Sequence, residues 1–162
     1  MGMEQLGTGI IGLGKVAHTH AAALASLPRS HFVSVFTRNT ARAAEFAARY
    51  GVRPYTDLEQ MLADPGLQVV TVCTPHLLHA EQAIMAARAG KHVLVEKPMA
   101  ITLADCDRMI EAAQAAGVKL GVISQRRFYP PVLRVKRAIE AGKIGEPVMG
   151  VLMMLGWRSR EY

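Results

Sequence analysis

Leu6-Gly7-Thr8-Gly9-Ile10-Ile11-Gly12-Leu13-Gly14-Lys15-Val16-Ala17 carries most of what the chain says about its fold. A strand-like segment, Leu6 to Ile11, runs into two glycines and then into an Ala-rich helical stretch from Val16 to Leu27. The turn between them reads Gly12-x-Gly14-x-x-Ala17, in the place where a dinucleotide fingerprint belongs. Gly12 permits a tight turn, Gly14 lets the backbone approach a pyrophosphate, and Ala17 allows close helix packing. Lys15 and Val16 lie inside the same loop, ahead of a helix whose first N–H groups point at an anion. A glycine-rich turn that holds no ligand is the alternative.

Working outward, strand-like and helix-like segments alternate without a shift in composition. A strand at His31 to Thr37 leads to a helix at Thr40 to Tyr50, with Thr40 as N-cap and Gly51 as its stop. A short strand at Arg53 to Tyr55 precedes a brief helix capped by Asp57 and closed by the turn at Asp64. Gln68 to Cys73 reads as a fully buried strand and Leu77 to Ala89 as a longer helix. His92 to Glu96 is the next strand, Thr102 opens a helix reaching Ala116, and Val118 to Ile123 is a further strand. Such alternation predicts an α/β fold, a doubly wound (Rossmann-type) parallel sheet with helices on both faces. Beyond Ser124 the order changes to a helix near Pro131 to Ala141 and an apolar strand-like run from Pro147 to Trp157. The expected organisation is therefore a dinucleotide-binding domain over 1–123, then over 124–162 a linker helix and the first strand of an incomplete second α+β domain.

The composition agrees with an ordinary globular domain: 162 residues, 51% apolar and 20% charged. A chain of this size buries roughly two-thirds of its unfolded surface and needs no disulfide staple. Two cysteines, Cys73 and Cys106, give no framework and favour a reducing compartment. The first residues lack a cationic flank leading into an apolar core, and no apolar run spans a bilayer. The expectation is a cytoplasmic protein with no membrane partner. The net charge of +6 fits a site that attracts anions. The basic stretch from Gln125 to Lys143 contains no nucleic-acid reading motif, so no nucleic-acid partner is expected.

The residues after the second strand bear on cofactor choice. Enzymes that use NAD place Asp or Glu there, about twenty residues after the fingerprint, to bind the free 2′-hydroxyl. This chain has Thr37-Arg38-Asn39 instead. Thr37 can donate a hydrogen bond and Arg38 can pair with a dianion, which favours NADP over NAD. Alternatively, Arg38 stacks on adenine or faces solvent. The buried strand ends in Thr74-Pro75-His76-Leu77-Leu78-His79 and the following one in Glu96-Lys97-Pro98, both on the edge where open sheets bind ligands. Lys97, next to Glu96 and before a proline that admits a cis bond, could relay a proton if partly desolvated. A surface ion pair of Glu96 with Lys97 is the plainer reading. No metal site is expected, because His18 and His20 differ by about 200° around a helix and face opposite sides.

Together the runs GxGxxA, TPxxLH, AGKHVLVEKP and QRRFYP resemble the Gfo/Idh/MocA family of NAD(P)-dependent oxidoreductases. The segment Gly90 to Pro98 is the most diagnostic of them. The resemblance implies hydride transfer between nicotinamide and a hydroxyl or carbonyl carbon of a sugar, polyol or similar small substrate. It implies that Lys97 is catalytic, reaching the nicotinamide and the substrate oxygen, where a cationic donor stabilises alkoxide-like charge. His76, Leu78 and His79 become a cofactor-side wall, with Thr74, Pro75 and Glu96 beside them. A helix-start residue bonded to nearby backbone is the other reading of His79. Gln125 and Arg127, with Tyr129, either meet the nicotinamide or belong to a basic linker anchored by Phe128.

The family continues with a mostly antiparallel substrate domain that is not found before Tyr162, so the chain reads as a truncated form or domain fragment. Two further readings accordingly stand beside the oxidoreductase: an NADP-binding domain without turnover, and a basic interaction module with a vestigial cleft. The Met153-Met154 pair reads as core or interface filler. The apolar run from Pro147 to Trp157, an edge strand without partners, predicts a homo-oligomer through this region.

Overall fold

The computed structural model describes residues 5–153 and 155–160; the first four residues, Met154 and the last two residues lie outside the described residues. Six parallel strands form one sheet: Leu6–Ile11 (β1), Ser30–Phe36 (β2), Arg53–Tyr55 (β3), Val69–Val72 (β4), His92–Val95 (β5) and Leu120–Val122 (β6). Their order is β3-β2-β1-β4-β5-β6, so the chain winds outward from β1, returns, and winds outward on the other side. Helices Ala17–Ser26 (α1), Thr40–Tyr50 (α2), Leu58–Leu62 (α3), His79–Arg88 (α4) and Leu103–Ala115 (α5) make the connections.

Side-chain alternation along the strands splits the core in two. Ile10 and Val35 pack with Ala17 and Ala21 of α1 and Phe46 and Ala47 of α2. Their chain neighbours Ile11 and Phe36 belong to the other cluster, with Met61 of α3, Ala83 and Ala87 of α4 and Met109 and Ala113 of α5. The doubly wound arrangement expected from the sequence is what the chain forms.

Local differences have local causes. The N-cap of α2 is Asn39, not Thr40: Asn39 keeps extended backbone and its side-chain oxygen accepts the Arg42 N–H at 2.9 Å. Both residue types cap well, and the helix starts one residue earlier than Thr40 as a cap would allow. Asp57 and Thr102 cap as expected, accepting from Gln60 and Asp105. The run expected as a helix from Leu77 begins instead with a single 3₁₀ turn, His76–Leu78, before α4.

Contacts divide the chain into a unit ending at Ile123 and a unit beginning at Ser124. In the second, a 3₁₀ turn at Gln125–Phe128 precedes helix Pro130–Glu140 (α6), whose prolines occupy its first turn. The strand expected from Pro147 to Trp157 does not form among the described residues. Val148 is 97% and Leu155 91% exposed. A strand gains its backbone hydrogen bonds only from a neighbour, and none of the described strands pairs with this run.

β1 lies close against the chain that enters β4. A Cβ on Gly7 would collide with the carbonyl of Gly66, and one on Gly9 would sit 2.6 Å from the Met61 side chain. Gly14, by contrast, has nothing within 4 Å of its virtual Cβ. Gly7→Ala should therefore lower stability by about 3 kcal/mol, and Gly14→Ala by about 0.5 kcal/mol or less, measured as urea midpoints.

Cys73, one residue past β4, is buried, and burial, reinforced by the charge of Glu96, pushes its thiol up to about 12 from an ordinary 9.0. The folded thiol stays neutral where the unfolded one ionises. Its contribution is complete below about pH 9 and declines as pH rises towards 12, by up to about 1.4 kcal/mol per pH unit. Urea titrations between pH 8 and 10.5 should show wild type losing stability faster than Cys73→Ala.

Candidate cofactor site at the carboxyl edge of the sheet

The sheet ladder continues one residue beyond the strands and aligns four loop starts on one edge. The N–H of Gly12 donates to Phe36 O at 2.9 Å, that of Cys73 to Ile11 O at 2.7 Å, and that of Glu96 to Val72 O at 2.9 Å. Thr37 N–H donates to Tyr55 O at 3.2 Å. The loops after β1, β2, β4 and β5 thus leave side by side, and the crevice opens between β1 and β4, where the winding reverses.

Gly12 has φ +92°, and a Cβ there would meet the Thr74 side chain at 2.5 Å. Only glycine brings the two loops that close. The virtual Cβ of Gly14 faces open space, so a ligand can approach its backbone. At the start of α1, Val16 supplies no side-chain cap and the first turn has no acidic residue. Although the Ala17 and Thr19 N–H groups donate to the Gly14 and Val16 carbonyls, a helix start without a side-chain cap beside an open glycine fits a dinucleotide pyrophosphate.

Beside this loop a groove of about 360 Å³ runs between α1 and α2, lined by Gly14, Lys15, His18, Arg42, Phe46 and Arg49 among others. Lys15, Arg42 and Arg49 bring three cations against one lining carboxylate, Glu45. Arg42 and Arg49 escaped the sequence reading, although seven residues is two helical turns and sets both on one face of α2. Thr37 is half-buried and Arg38 exposed at the mouth of the β2 loop. His18 Nδ1 lies 3.1 Å from the Tyr50 hydroxyl, its ring against Phe46.

On the other side of the crevice Pro75 and His76 are exposed and Leu78 is half-buried. The Thr74 hydroxyl donates to Gln82 at 2.6 Å. His79 is 0% exposed, with Nδ1 2.9 Å from Pro98 O and Nε2 2.9 Å from Thr74 O. Of its two readings, backbone bonding is the one that these contacts describe. Its ring stands behind the crevice surface and ties the β4 loop to the β5 loop.

Glu96 is 9% exposed and turned inward: Oε1 meets His20 Nε2 at 2.9 Å and Oε2 accepts the Lys97 N–H at 3.1 Å. The Lys97 side chain is exposed and has no ion pair among the described residues, so the pairing with Glu96 read from the sequence is replaced by Glu96 with His20. The Lys97–Pro98 peptide is cis. Gln125 and Arg127 belong to the unit that begins at Ser124. Among the described residues no three His, Cys, Asp or Glu side chains gather as a metal site, and no helix is long and apolar enough to cross a membrane.

The family described as "Oxidoreductase family, NAD-binding Rossmann fold" matches residues 6–124. Myo-inositol 2-dehydrogenase of Thermotoga maritima is 36% identical over 140 residues, covering 86% of this chain and 42% of that protein. The WlbA dehydrogenase from Bordetella pertussis, solved with NADH and UDP-GlcNAcA, superposes with TM-score 0.83 at 36% identity, covering 88% of this chain and 44% of its own. KijD10, a 3-ketoreductase from Actinomadura kijaniata solved with NADP, gives TM-score 0.81 at 30% identity, covering 88% and 46%. The chain spans less than half the length of the curated relatives it matches. A crevice built on an open Gly14, an uncapped α1 and the Glu96-Lys97-Pro98 turn, matched across residues 6–124, makes this chain a member of the Gfo/Idh/MocA oxidoreductase family, through its NAD-binding Rossmann fold.

Proposed function

We propose that the chain binds a nicotinamide dinucleotide across its β1–β4 crevice, NADP(H) in preference to NAD(H). Joined to a substrate domain of the kind its longer relatives have room for, it would serve hydride transfer to or from a carbohydrate-like substrate. The observation that carries this reading is the open backbone at Gly14 beside the uncapped start of α1, at the switch point of the sheet. In it the loop from Gly12 to Ala17, including Lys15 and Val16, holds the pyrophosphate. Thr37 and Arg38 meet the adenosine ribose, with Arg42 adding a second guanidinium from the groove. Thr74, Pro75, His76 and Leu78 line the nicotinamide side, and His79 supports them from behind.

Hydride donation or acceptance is the chemistry that a nicotinamide would supply when bound at this edge. Lys97, with its ammonium free of partners among the described residues, donates a hydrogen bond to the substrate oxygen and moves a proton there as charge changes on that atom. The Thermotoga relative, a myo-inositol 2-dehydrogenase, and the Bordetella neighbour with its bound UDP-GlcNAcA support a sugar or polyol as substrate. The free thiols of Cys73 and Cys106 are in keeping with a cytoplasmic site of action. Exposed Val148, Val151, Leu152 and Leu155 support self-association through the tail.

Two variants test the assignment. Arg38→Ala should weaken NADPH roughly tenfold and change NADH by less than about twofold, read by nicotinamide fluorescence titration. Equal losses for both would remove the 2′-phosphate contact from Arg38. In a form carrying the substrate domain, Lys97→Met should lower kcat by about a hundredfold or more and leave cofactor affinity within a few fold. Wild-type turnover across pH in that variant would reject Lys97 as the catalytic group.

A further inference from the structure

α1 begins at the loop offered to the pyrophosphate, and in its first turn it also carries His20. The His20 ring reaches across to the β5 loop, where its Nε2 lies 2.9 Å from Glu96 Oε1, a contact 76 residues apart in sequence. The second oxygen of the same carboxylate accepts the Lys97 N–H at 3.1 Å. With Glu96 as a carboxylate, both of its oxygens accept, and His20 Nε2 is then the donor of this contact. Each oxygen of the buried Glu96 carboxyl thus has a hydrogen-bond partner, which meets the requirement for burying it.

A carboxylate bonded to the next residue's N–H is a local contact that a rotation of its own side chain would undo. His20 holds that rotamer from a different element. The two hydrogen bonds in series run from the first turn of α1 to the main chain of Lys97. On the far side of the lysine, Pro98 O is held separately by His79. The Lys97 ammonium has no protein partner among the described residues to steer it, so its direction depends on where its main chain is fixed.

We propose that His20 and Glu96 are positioning residues, a two-bond strut that fixes the Lys97 main chain relative to the pyrophosphate loop before the cofactor binds. The proposal rests on the reading of Lys97 and of that loop given above. Its function is registration: phosphate anchor and proton donor keep a set separation, and hydride transfer tolerates little misplacement.

Amide hydrogen exchange resolved by residue on the 162-residue chain tests the strut without any ligand. His20→Leu should speed exchange at the Lys97 N–H by about tenfold or more, the equivalent of losing one charge-assisted hydrogen bond. The Val93 and Cys73 amides, bonded to Lys119 O and Ile11 O, should keep their wild-type rates. His20→Gln, whose amide can still donate to Glu96, should restore most of the protection. If His20→Leu does not fold, His20→Asn, polar but shorter, takes its place in the same comparison. Unchanged Lys97 exchange, acceleration shared equally by Val93 and Cys73, or no restoration by glutamine would each overturn the strut. Titration of the wild type with NADPH and NADH is run alongside. Absence of binding to either would end the cofactor reading, while the exchange rates would still decide the strut.

Discussion

Parallel pairing is the constraint on which everything else in this protein depends. Strands that all run one way deliver all their carboxyl ends to one edge, and each must be followed by a crossover that returns the chain to the opposite edge. The reversal of winding between β1 and β4 then parts two neighbouring loops and leaves a crevice between them. Gly12, Thr37, Thr74 and Glu96 are far apart in the chain and adjacent in space for this reason alone. No side chain in the crevice has to recruit another; the sheet has already assembled them.

The parallel sheet also dictates what must be buried. Both faces are covered, so successive residues such as Ile10 and Ile11 enter different cores and neither face can tolerate polarity without compensation. The compensation is visible where polar groups are buried. Asp64 accepts from Tyr55, from the Gly66 N–H and from Arg53, while Lys91 donates to the carbonyls of Asp64 and Leu67. These contacts tie the segment that enters β4 to β3 and to Lys91, and Gln68 bonds it to β1 through both the N–H and the carbonyl of Gly7, where Gly7 and Gly9 give up side chains to let it approach. Among buried side chains of the described residues, only the Ser34 hydroxyl lacks a partner.

Much of this was legible in the sequence, because parallel αβ units write local signals. β1, α2 and β3 could be read to the residue, since the period changes sharply at Gly12 and Gly51 and a capping side chain stands at the start of α2. The cap itself was displaced by one position because Asn39 and Thr40 are both competent and only backbone angles distinguish them. The apolar tail misled for a clearer reason: β-branched, apolar composition reports a preference for being paired, and pairing is a property of what lies alongside. In the candidate site the backbone determinants were legible as motifs. Arg42 and Arg49 were hidden in an ordinary helical charge pattern, and the contact of His20 with Glu96 is invisible to any window, since nothing near either residue announces the other.

The alternation between the two cores bears on how this protein could change over evolutionary time. Adding or deleting one residue between Leu6 and Gly12 would exchange the occupants of the two cores and carry the phosphate loop out of phase with the strand beneath it. Length variation is therefore barred from β1. It is tolerated in the turns at the amino edge, such as the stretch from Leu27 to Arg29 or the turn at Gly117, which face away from the crevice and carry no contact across it. Descendants of this chain would diversify in length at one edge of the sheet and in side-chain chemistry at the other.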